Sequence, residues 1–159
     1  MKVYLGADHA GFKLKQHIKT YLKKLKYQVV DKGNTKLVMT DDYPDYAYKV
    51  AKAVAASKGD AKGILFCGSA EGICIAANKV RGIRAVPVWT LENARLSRQH
   101  NNANVLCLSG GQMKKKSKQL ALSPKKAEKI VKTWLETDFT FEPRHVRRLK
   151  KIASIEKHG

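Results

Sequence analysis

The stretch Gly63-Ile-Leu-Phe-Cys-Gly-Ser-Ala-Glu-Gly-Ile-Cys-Ile-Ala-Ala-Asn78 carries the most information about this chain. Its apolar start predicts a short buried strand ending at Cys67, and its Ala- and Ile-rich end predicts a helix. In a parallel α/β domain, a tight turn between two such elements directs backbone N–H groups and the positive helix end at an anion. The same dipole stabilises a thiolate. Cys67 is therefore a candidate nucleophile or base beside an anion site.

Strand-like and helix-like segments alternate along the 159 residues, which predicts a single domain over 1–159. The predicted strands are Val3–Ala7, Tyr27–Asp31, Lys62–Cys67, Ile83–Val88 and Asn104–Ser109. The predicted helices are Gly11–Leu25, Tyr43–Ala56, about Gly72–Lys79, one capped by Thr90, one opened by Ser123-Pro124, and a basic C-terminal helix over about 142–157. Apolar strands separated by helices predict an α/β fold, a three-layer αβα Rossmann-like domain with a five-stranded parallel sheet.

The chain is strongly basic, with 32 Lys and Arg against 13 Asp and Glu and a net charge of +19. In the first predicted helix, the lysines lie largely off the apolar stripe, which indicates a solvated cationic surface. These are Lys13, Lys15, Lys19, Lys23 and Lys24. No zinc-finger spacing or aromatic RNA-binding motif is present, so we expect phosphorylated metabolites as ligands and only weak, non-specific nucleic-acid binding. A basic nucleic-acid-binding module on the same fold is the alternative.

Three cysteines without a CxxC pair argue against a disulfide scaffold and a zinc site, and they favour a reducing, cytoplasmic compartment. We expect Cys74 and Cys107 to be core residues. No apolar run approaches the ~20 residues of a membrane span, and the start of the chain has no signal-peptide pattern. The sequence thus predicts a cytoplasmic protein without a membrane partner.

Two loops are predicted to meet at the carboxyl edge of the sheet if the strand order begins 2-1-3. They are Gly6–Gly11 and Cys67–Gly72. A dinucleotide fingerprint is absent because Asp8 stands where its middle glycine belongs, and a P-loop is absent too. A phosphatase with Asp8 as nucleophile needs a second acid where Ala10 stands. Arg144 and Arg148, four residues apart on one helical face, are spaced to hold a phosphate.

Several motifs follow one another in a recognisable order along the chain: Gly6-Ala-Asp-His-Ala-Gly-Phe-Lys-Leu-Lys15, Asp42-Tyr-Pro44, Cys67-Gly-Ser, Ile75-Ala-Ala-Asn-Lys79, Gly82-Ile-Arg-Ala85, Ser97-Arg-Gln-His-Asn101 and Arg144-His145. In this order they resemble the type B ribose-5-phosphate isomerases, which share a superfamily with the galactose-6-phosphate isomerase subunits. The resemblance implies an isomerase that interconverts ribose 5-phosphate and ribulose 5-phosphate through an enediolate, without metal or other cofactor. A hexose-6-phosphate isomerase, acting on allose or galactose 6-phosphate, is the alternative. The resemblance also implies a homodimer, or a dimer of dimers, with shared active sites.

The resemblance assigns a role to each matching residue. It implies Cys67 as the base, Ser69 as a proton relay and His100 as the residue that opens the furanose ring. The implied binding residues are Asp8 and Asn101 for sugar hydroxyls, Tyr43 as a pocket wall, His9, Arg144 and Arg148 for phosphate, and Gly68, Ala70, Glu71 and Gly72 in the loop whose N–H groups would bind the enediolate oxygen.

The chain departs from the family pattern at several positions. Ala70 stands where relatives usually have glycine, and Gln112 stands where many have an arginine near the phosphate. The stretch Lys114–Ser123 is longer and more basic than usual. One branch of the family has a glutamate base at the position of Ile73, and its absence here favours Cys67 as the base.

Overall fold

The computed structural model describes residues 1–111 and 121–158. The strands in these residues are β1 (Lys2–Ala7), β2 (Gln28–Asp31), β3 (Ala61–Cys67), β4 (Ala85–Pro87) and β5 (Val105–Ser109). The helices are α1 (Phe12–Lys24), α2 (Tyr43–Ala56), α3 (Glu71–Ala77), α4 (Leu91–Asn101), α5 (Pro124–Glu136) and α6 (Pro143–His158).

The strands form one parallel sheet in the order β2-β1-β3-β5-β4. β1 lies between β2 and β3, with Leu5 opposite Asp31 on one side and Ile64 on the other. Cys67 at the end of β3 lies opposite Ser109 at the end of β5. The predicted α/β class is confirmed, and the strand order begins 2-1-3, which is the condition for the two loops to meet. The loops after β1, β3 and β5 therefore emerge side by side.

Helices cover both faces of the sheet, which is why the strands are apolar on both sides. α1, α4 and α5 pack on one face around Phe66 and Leu106, with Trp134 of α5 fully buried there. α2 and α3 pack on the other face around Leu65 and Cys67. Cys67 thus ends its strand on the face covered by α2 and α3.

Lys15 is buried, and the expectation that it belongs to the solvated face of the first helix was wrong. Its Nζ donates to Asp31 Oδ1 at 2.8 Å and to the Asn34 carbonyl at 2.5 Å. A buried ammonium is tolerated only when it is paired and hydrogen-bonded, as here. Lys19 contacts the other oxygen of Asp31 at 2.8 Å. The pairing is tertiary, so the helical period of the sequence did not indicate it.

β4 is shorter than the predicted strand, and it lies at an edge of the sheet. Pro87 has no N–H to donate, which suits an edge strand. Thr90 caps α4 and Ser123 caps α5 as predicted, each through its hydroxyl oxygen. No helix in the described part of the chain is both long and apolar enough to cross a membrane.

Candidate active site

The loops after β1, β3 and β5 touch through their backbones. A Cβ atom on Gly11 would lie 2.3 Å from the carbonyl carbon of Phe66, and one on Gly110 would lie 2.5 Å from the Ala10 carbonyl oxygen. Separations this short leave room for glycine alone. The carboxyl edge of the sheet is therefore held as one packed surface before any ligand binds.

Cys67 lies at the start of a turn that several hydrogen bonds hold in place. Its Sγ accepts a hydrogen bond from the Ala70 backbone N–H at 3.2 Å. The turn is tied to the loop after β5, because the Gly110 N–H donates to the Cys67 carbonyl at 2.8 Å and the Ser109 hydroxyl donates to the Gly68 carbonyl at 2.6 Å. The sequence prediction that backbone N–H groups of this loop face the thiol agrees with this geometry.

Ala70 makes the turn in the left-handed backbone conformation, with φ 72° and ψ −14°, and its side chain is fully buried. L-residues adopt this conformation at a cost of roughly 1–2 kcal/mol, and glycine adopts it without that cost. Alanine here keeps the turn that the usual glycine would make, and its methyl group fills the core between α2 and α3.

The thiolate of Cys67 is less favoured than the sequence predicted. Burial raises the pKa of the thiol, and the Ile73 N–H opposes that rise. The nearby Asp8 carboxylate adds to the rise, and the N–H groups of Ala70 and Ser69 lower the pKa in part. The net pKa lies above its ordinary value because a buried charge loses more hydration than these N–H groups replace.

Asp8 and His9 lie on the loop after β1, and the Asp8 carboxylate is close enough to Cys67 to act on its pKa. Asp8 Oδ1 accepts from the Gly11 N–H at 2.9 Å, and burial raises the pKa of this carboxyl group. His9 contacts Asp41, whose Oδ1 lies 2.8 Å from both the backbone nitrogen and Nδ1 of His9. Sequence reasoning missed Asp41, which is 32 positions away from His9 and carries no local motif of its own.

Tyr43, Ser69, Glu71 and Gly72 complete the group at the carboxyl edge. The Tyr43 ring rests on Gly72, where an added Cβ would lie 2.8 Å from Tyr43 Cζ. Ser69 Oγ accepts from the Glu71 N–H at 3.3 Å, and the Glu71 side chain is exposed in the first turn of α3. The structure thus brings the predicted residues of the loops after β1 and β3, together with Tyr43, to the carboxyl edge of the sheet.

The remaining predicted residues lie at the opposite, amino edge of the sheet. Asn101 ends α4, and its carbonyl accepts from Nε of Arg84, the residue just before β4, at 3.0 Å. The His100 ring stacks on the buried His145 ring of α6 with centroids 4.3 Å apart. The Gly82 N–H, also before β4, donates to Glu156 of α6 at 3.1 Å.

Arg144 and Arg148 lie on α6, and both are exposed. Arg144 Nε donates to Glu142 at 2.8 Å. Because α6 packs along the end of α4, one chain does not bring these arginines, His100 or Asn101 to Cys67. Gln112 and most of the basic stretch 114–123 lie outside the described residues. Among those described, no cluster of three or more His, Cys, Asp or Glu side chains is arranged to hold a metal.

A thiol shielded from water beside carboxylate and imidazole side chains is suited to transferring a proton between neighbouring carbons. That chemistry defines the aldose–ketose isomerases. A sequence profile described as Ribose/Galactose Isomerase matches residues 3–152, and the chain belongs to this family. The predicted class, a sugar-phosphate isomerase, is confirmed.

Proteins named ribose-5-phosphate isomerase B are similar to this chain over nearly its whole length. Ribose-5-phosphate isomerase B of Mycolicibacterium paratuberculosis is 40% identical over 157 residues, which cover 99% of this chain and 92% of the relative. The crystal structure of ribose-5-phosphate isomerase B from Mycoplasma genitalium with bound ribulose-5-phosphate has a TM-score of 0.90 and 39% identity, covering 99% and 97% of the two chains. The structure of ribose-5-phosphate isomerase B from Clostridium thermocellum has a TM-score of 0.89 and 42% identity, covering 99% of both chains.

Proposed function

We propose that the chain interconverts ribose 5-phosphate and ribulose 5-phosphate through an enediolate, with Cys67 as the base. The observation that carries the proposal is the buried Cys67 thiol, held 3.2 Å from the Ala70 N–H and beside Asp8. The relatives described above are named for the pentose reaction, and one of them holds ribulose 5-phosphate. A pentose phosphate is therefore the substrate we propose, rather than a hexose 6-phosphate.

In the proposed reaction, the Cys67 thiolate removes the proton from C2 of the open-chain aldose. The electron pair of that C–H bond forms the C1–C2 double bond, and the C1 carbonyl oxygen becomes an oxyanion. The proton then returns to C1, while the C2 hydroxyl proton passes to the oxygen on C1, for which Ser69 is the proposed relay. N–H groups of Gly68–Gly72 would stabilise the oxyanion. The raised pKa of Cys67 makes its thiolate scarcer but a stronger base.

His100, Asn101, Arg144 and Arg148 belong to the same proposed site, but they come from a second copy of the chain. α4 has 11 residues, so it carries its end about 16 Å from its start at 1.5 Å per residue. α6 supports the pairing, because it presents exposed apolar side chains that a partner would cover. These are Ile152 at 41% and Ile155 at 71% exposure, and Phe141, just before α6, is exposed at 72%.

A direct assay tests the base. Cys67→Ala should lower the turnover of ribose 5-phosphate by ~10²-fold or more, because a general base typically contributes 10²–10⁴-fold. Cys74→Ala is the matched control, since Cys74 is a second buried thiol on the same face of the sheet. If Cys67→Ala keeps more than about a tenth of wild-type turnover, the base is misassigned and Glu71 becomes the candidate.

Subunit exchange tests the shared site. Mixing Cys67→Ala with Arg148→Ala should restore activity, because a heterodimer has one site with both lesions and one intact site. Random exchange of equal amounts should give about a quarter of wild-type activity in a symmetric dimer. Each variant exchanged with itself is the control. No recovery, with exchange confirmed by mass spectrometry, would mean that both residues serve one subunit's own site.

The compartment is a further part of the proposal. Cys67, Cys74 and Cys107 are all free and buried thiols. Free thiols are usual in a reducing compartment, which supports the cytoplasmic location expected from the sequence.

A further inference from the structure

Asp41 contacts His9 at two atoms, the backbone nitrogen and Nδ1. It lies in the loop before α2, and one carboxylate oxygen accepts the His9 backbone N–H at 2.8 Å and lies 2.8 Å from His9 Nδ1. The Asp41 side chain is 6% exposed, whereas that of His9 is 30% exposed. His9 can therefore meet a ligand while the group that holds it stays out of the water.

The other oxygen of Asp41 is also fixed. Asn34 Nδ2 donates to Asp41 Oδ2 at 2.6 Å. The Asn34 carbonyl in turn accepts from the buried Lys15 ammonium, which is itself paired with Asp31. The carboxylate is thus tied through Asn34 to a buried ion pair under α1, and it cannot swing away from His9 without breaking that chain of contacts.

These contacts determine the chemistry of the imidazole. A hydrogen bond from Nδ1–H to Asp41 leaves Nε2 as the nitrogen available to a ligand. The hydrogen bond to Asp41 raises the pKa of His9, burial opposes it, and the charges of Asp8 and Asp41 add to the rise. Burial alone would raise the pKa of Asp41, but the hydrogen bonds from His9 and Asn34, with the Tyr46 phenol adding to them, bring it below its ordinary value.

We propose that Asp41 is the positioning residue that holds His9 as an imidazolium with Nε2–H directed to the phosphate of the sugar substrate. The proposal rests on the function proposed above. A sugar phosphate is largely a dianion near neutral pH, and a charged donor binds it about twice as strongly as a neutral one. Among the described residues, the titratable groups facing this imidazole are Asp8 on its own loop and Asp41, with Tyr46 of α2 against Asp41.

The pH dependence of KM separates this role from a purely structural one. Asp41→Asn keeps an oxygen acceptor for His9 and removes the charge. Its KM for ribose 5-phosphate should exceed that of wild type by about 3- to 10-fold at pH 8 and by a smaller factor at pH 6, because the protonation of His9 depends less on the Asp41 charge as the pH falls. Dividing the KM of the variant by that of wild type at the same pH removes the effect of the titration of the substrate phosphate. kcat should stay within about 2-fold, because the proposed role of Asp41 acts through His9 on the phosphate and not on the reacting carbons.

Two comparisons complete the test. In a His9→Gln background, Asp41→Asn should leave KM within about 2-fold at both pH values, because its effect passes through His9. Asp45→Asn removes an exposed carboxylate from the start of α2 and should behave as wild type. A KM increase that is equal at both pH values, or that persists without His9, would overturn the proposal.

An NMR titration of His9 reads the contact without any turnover. The His9 resonance, assigned with His9→Gln, should titrate at lower pH in Asp41→Asn than in wild type, and inorganic phosphate should bind the variant more weakly at pH 8. An unchanged His9 titration would overturn the proposal whatever the activity. If the wild-type protein does not turn over ribose 5-phosphate but His9 titrates as expected, the proposed function is overturned. The coupling of Asp41 to His9 then still stands.

Discussion

Gly72→Ala should damage catalysis while leaving the fold intact. The added Cβ would lie 2.8 Å from Tyr43 Cζ, 3.0 Å from its hydroxyl oxygen and 3.1 Å from Cε1, whereas ordinary contacts begin at 3.4 Å. Tyr43 is 39% exposed, so its ring can move outward. Gly72 is the second residue of α3, and alanine is favoured over glycine in a helix by up to about 1 kcal/mol.

The two effects have different readouts. Displacing a pocket wall by a fraction of an ångström should lower kcat/KM for ribose 5-phosphate by about 10-fold or more, since misplacement of ~1 Å can cost 10²-fold. The melting temperature should stay the same or rise by up to about 4 °C, the shift that ~1 kcal/mol produces in a domain of this size. A coupled isomerase assay and thermal unfolding followed by circular dichroism measure the two quantities.

Gly59→Ala is the control with the opposite signature. Gly59 has φ 106° and nothing within 4 Å of an added Cβ, at the edge of the sheet far from Cys67. Alanine there should lower the melting temperature by about 2 °C or more, because it is strained at positive φ, and kcat/KM should not change. In a Tyr43→Ala background, Gly72→Ala should add no further loss of kcat/KM. Wild-type kcat/KM for Gly72→Ala, or a fall of more than about 4 °C in its melting temperature, would refute the reasoning.

Three further predictions concern single residues of the site. Because burial raises the pKa of Cys67, kcat/KM should rise with pH from neutrality until the thiol is ionised; a flat profile over that range would argue against a thiolate base. His100→Asn should lower the turnover of cyclic ribose 5-phosphate much more than that of acyclic erythrose 4-phosphate, and equal losses would contradict a role in ring opening. Ala70→Gly should change the free energy of unfolding by less than about 1 kcal/mol. The variant gains from the relief of roughly 1–2 kcal/mol of backbone strain, and it loses a buried methyl worth ~0.8 kcal/mol and pays the added chain entropy of glycine. Chemical denaturation measures the net change, and a larger change in either direction would contradict this balance.

The part of the site that sequence predicted well depends on one rule of parallel sheets. Apolar strands of predictable length end at Ala7 and Cys67, and the loops that follow adjacent parallel strands meet at one edge. The order β2-β1-β3 made that meeting possible. Glycine at Gly11 and Gly110 then allows the loop backbones to touch. Local pattern and a general topological rule were sufficient for this part.

The residues that sequence reasoning missed depend on tertiary partners. Lys15 is buried because Asp31 and the Asn34 carbonyl accept from it, and no periodic pattern specifies such an ion pair. Asp41 sits in a polar loop that resembles any solvated turn until His9 is folded against it. The pKa of Cys67 is a balance between burial and several N–H groups, and the sequence predicts the presence of both without predicting which is larger.

The topology also explains why the predicted site divides into two groups. In a parallel sheet, every loop after a strand lies at the carboxyl edge, and every helix that returns the chain to the next strand ends at the amino edge. Cys67 follows a strand, whereas Asn101 ends a returning helix and is bonded to Arg84 just before β4. No rearrangement of side chains brings residues from opposite edges of one sheet together. If both groups act on one sugar phosphate, as we propose, the second group has to come from another copy of the chain, and the exposed apolar side chains of α6 are then part of the active-site architecture.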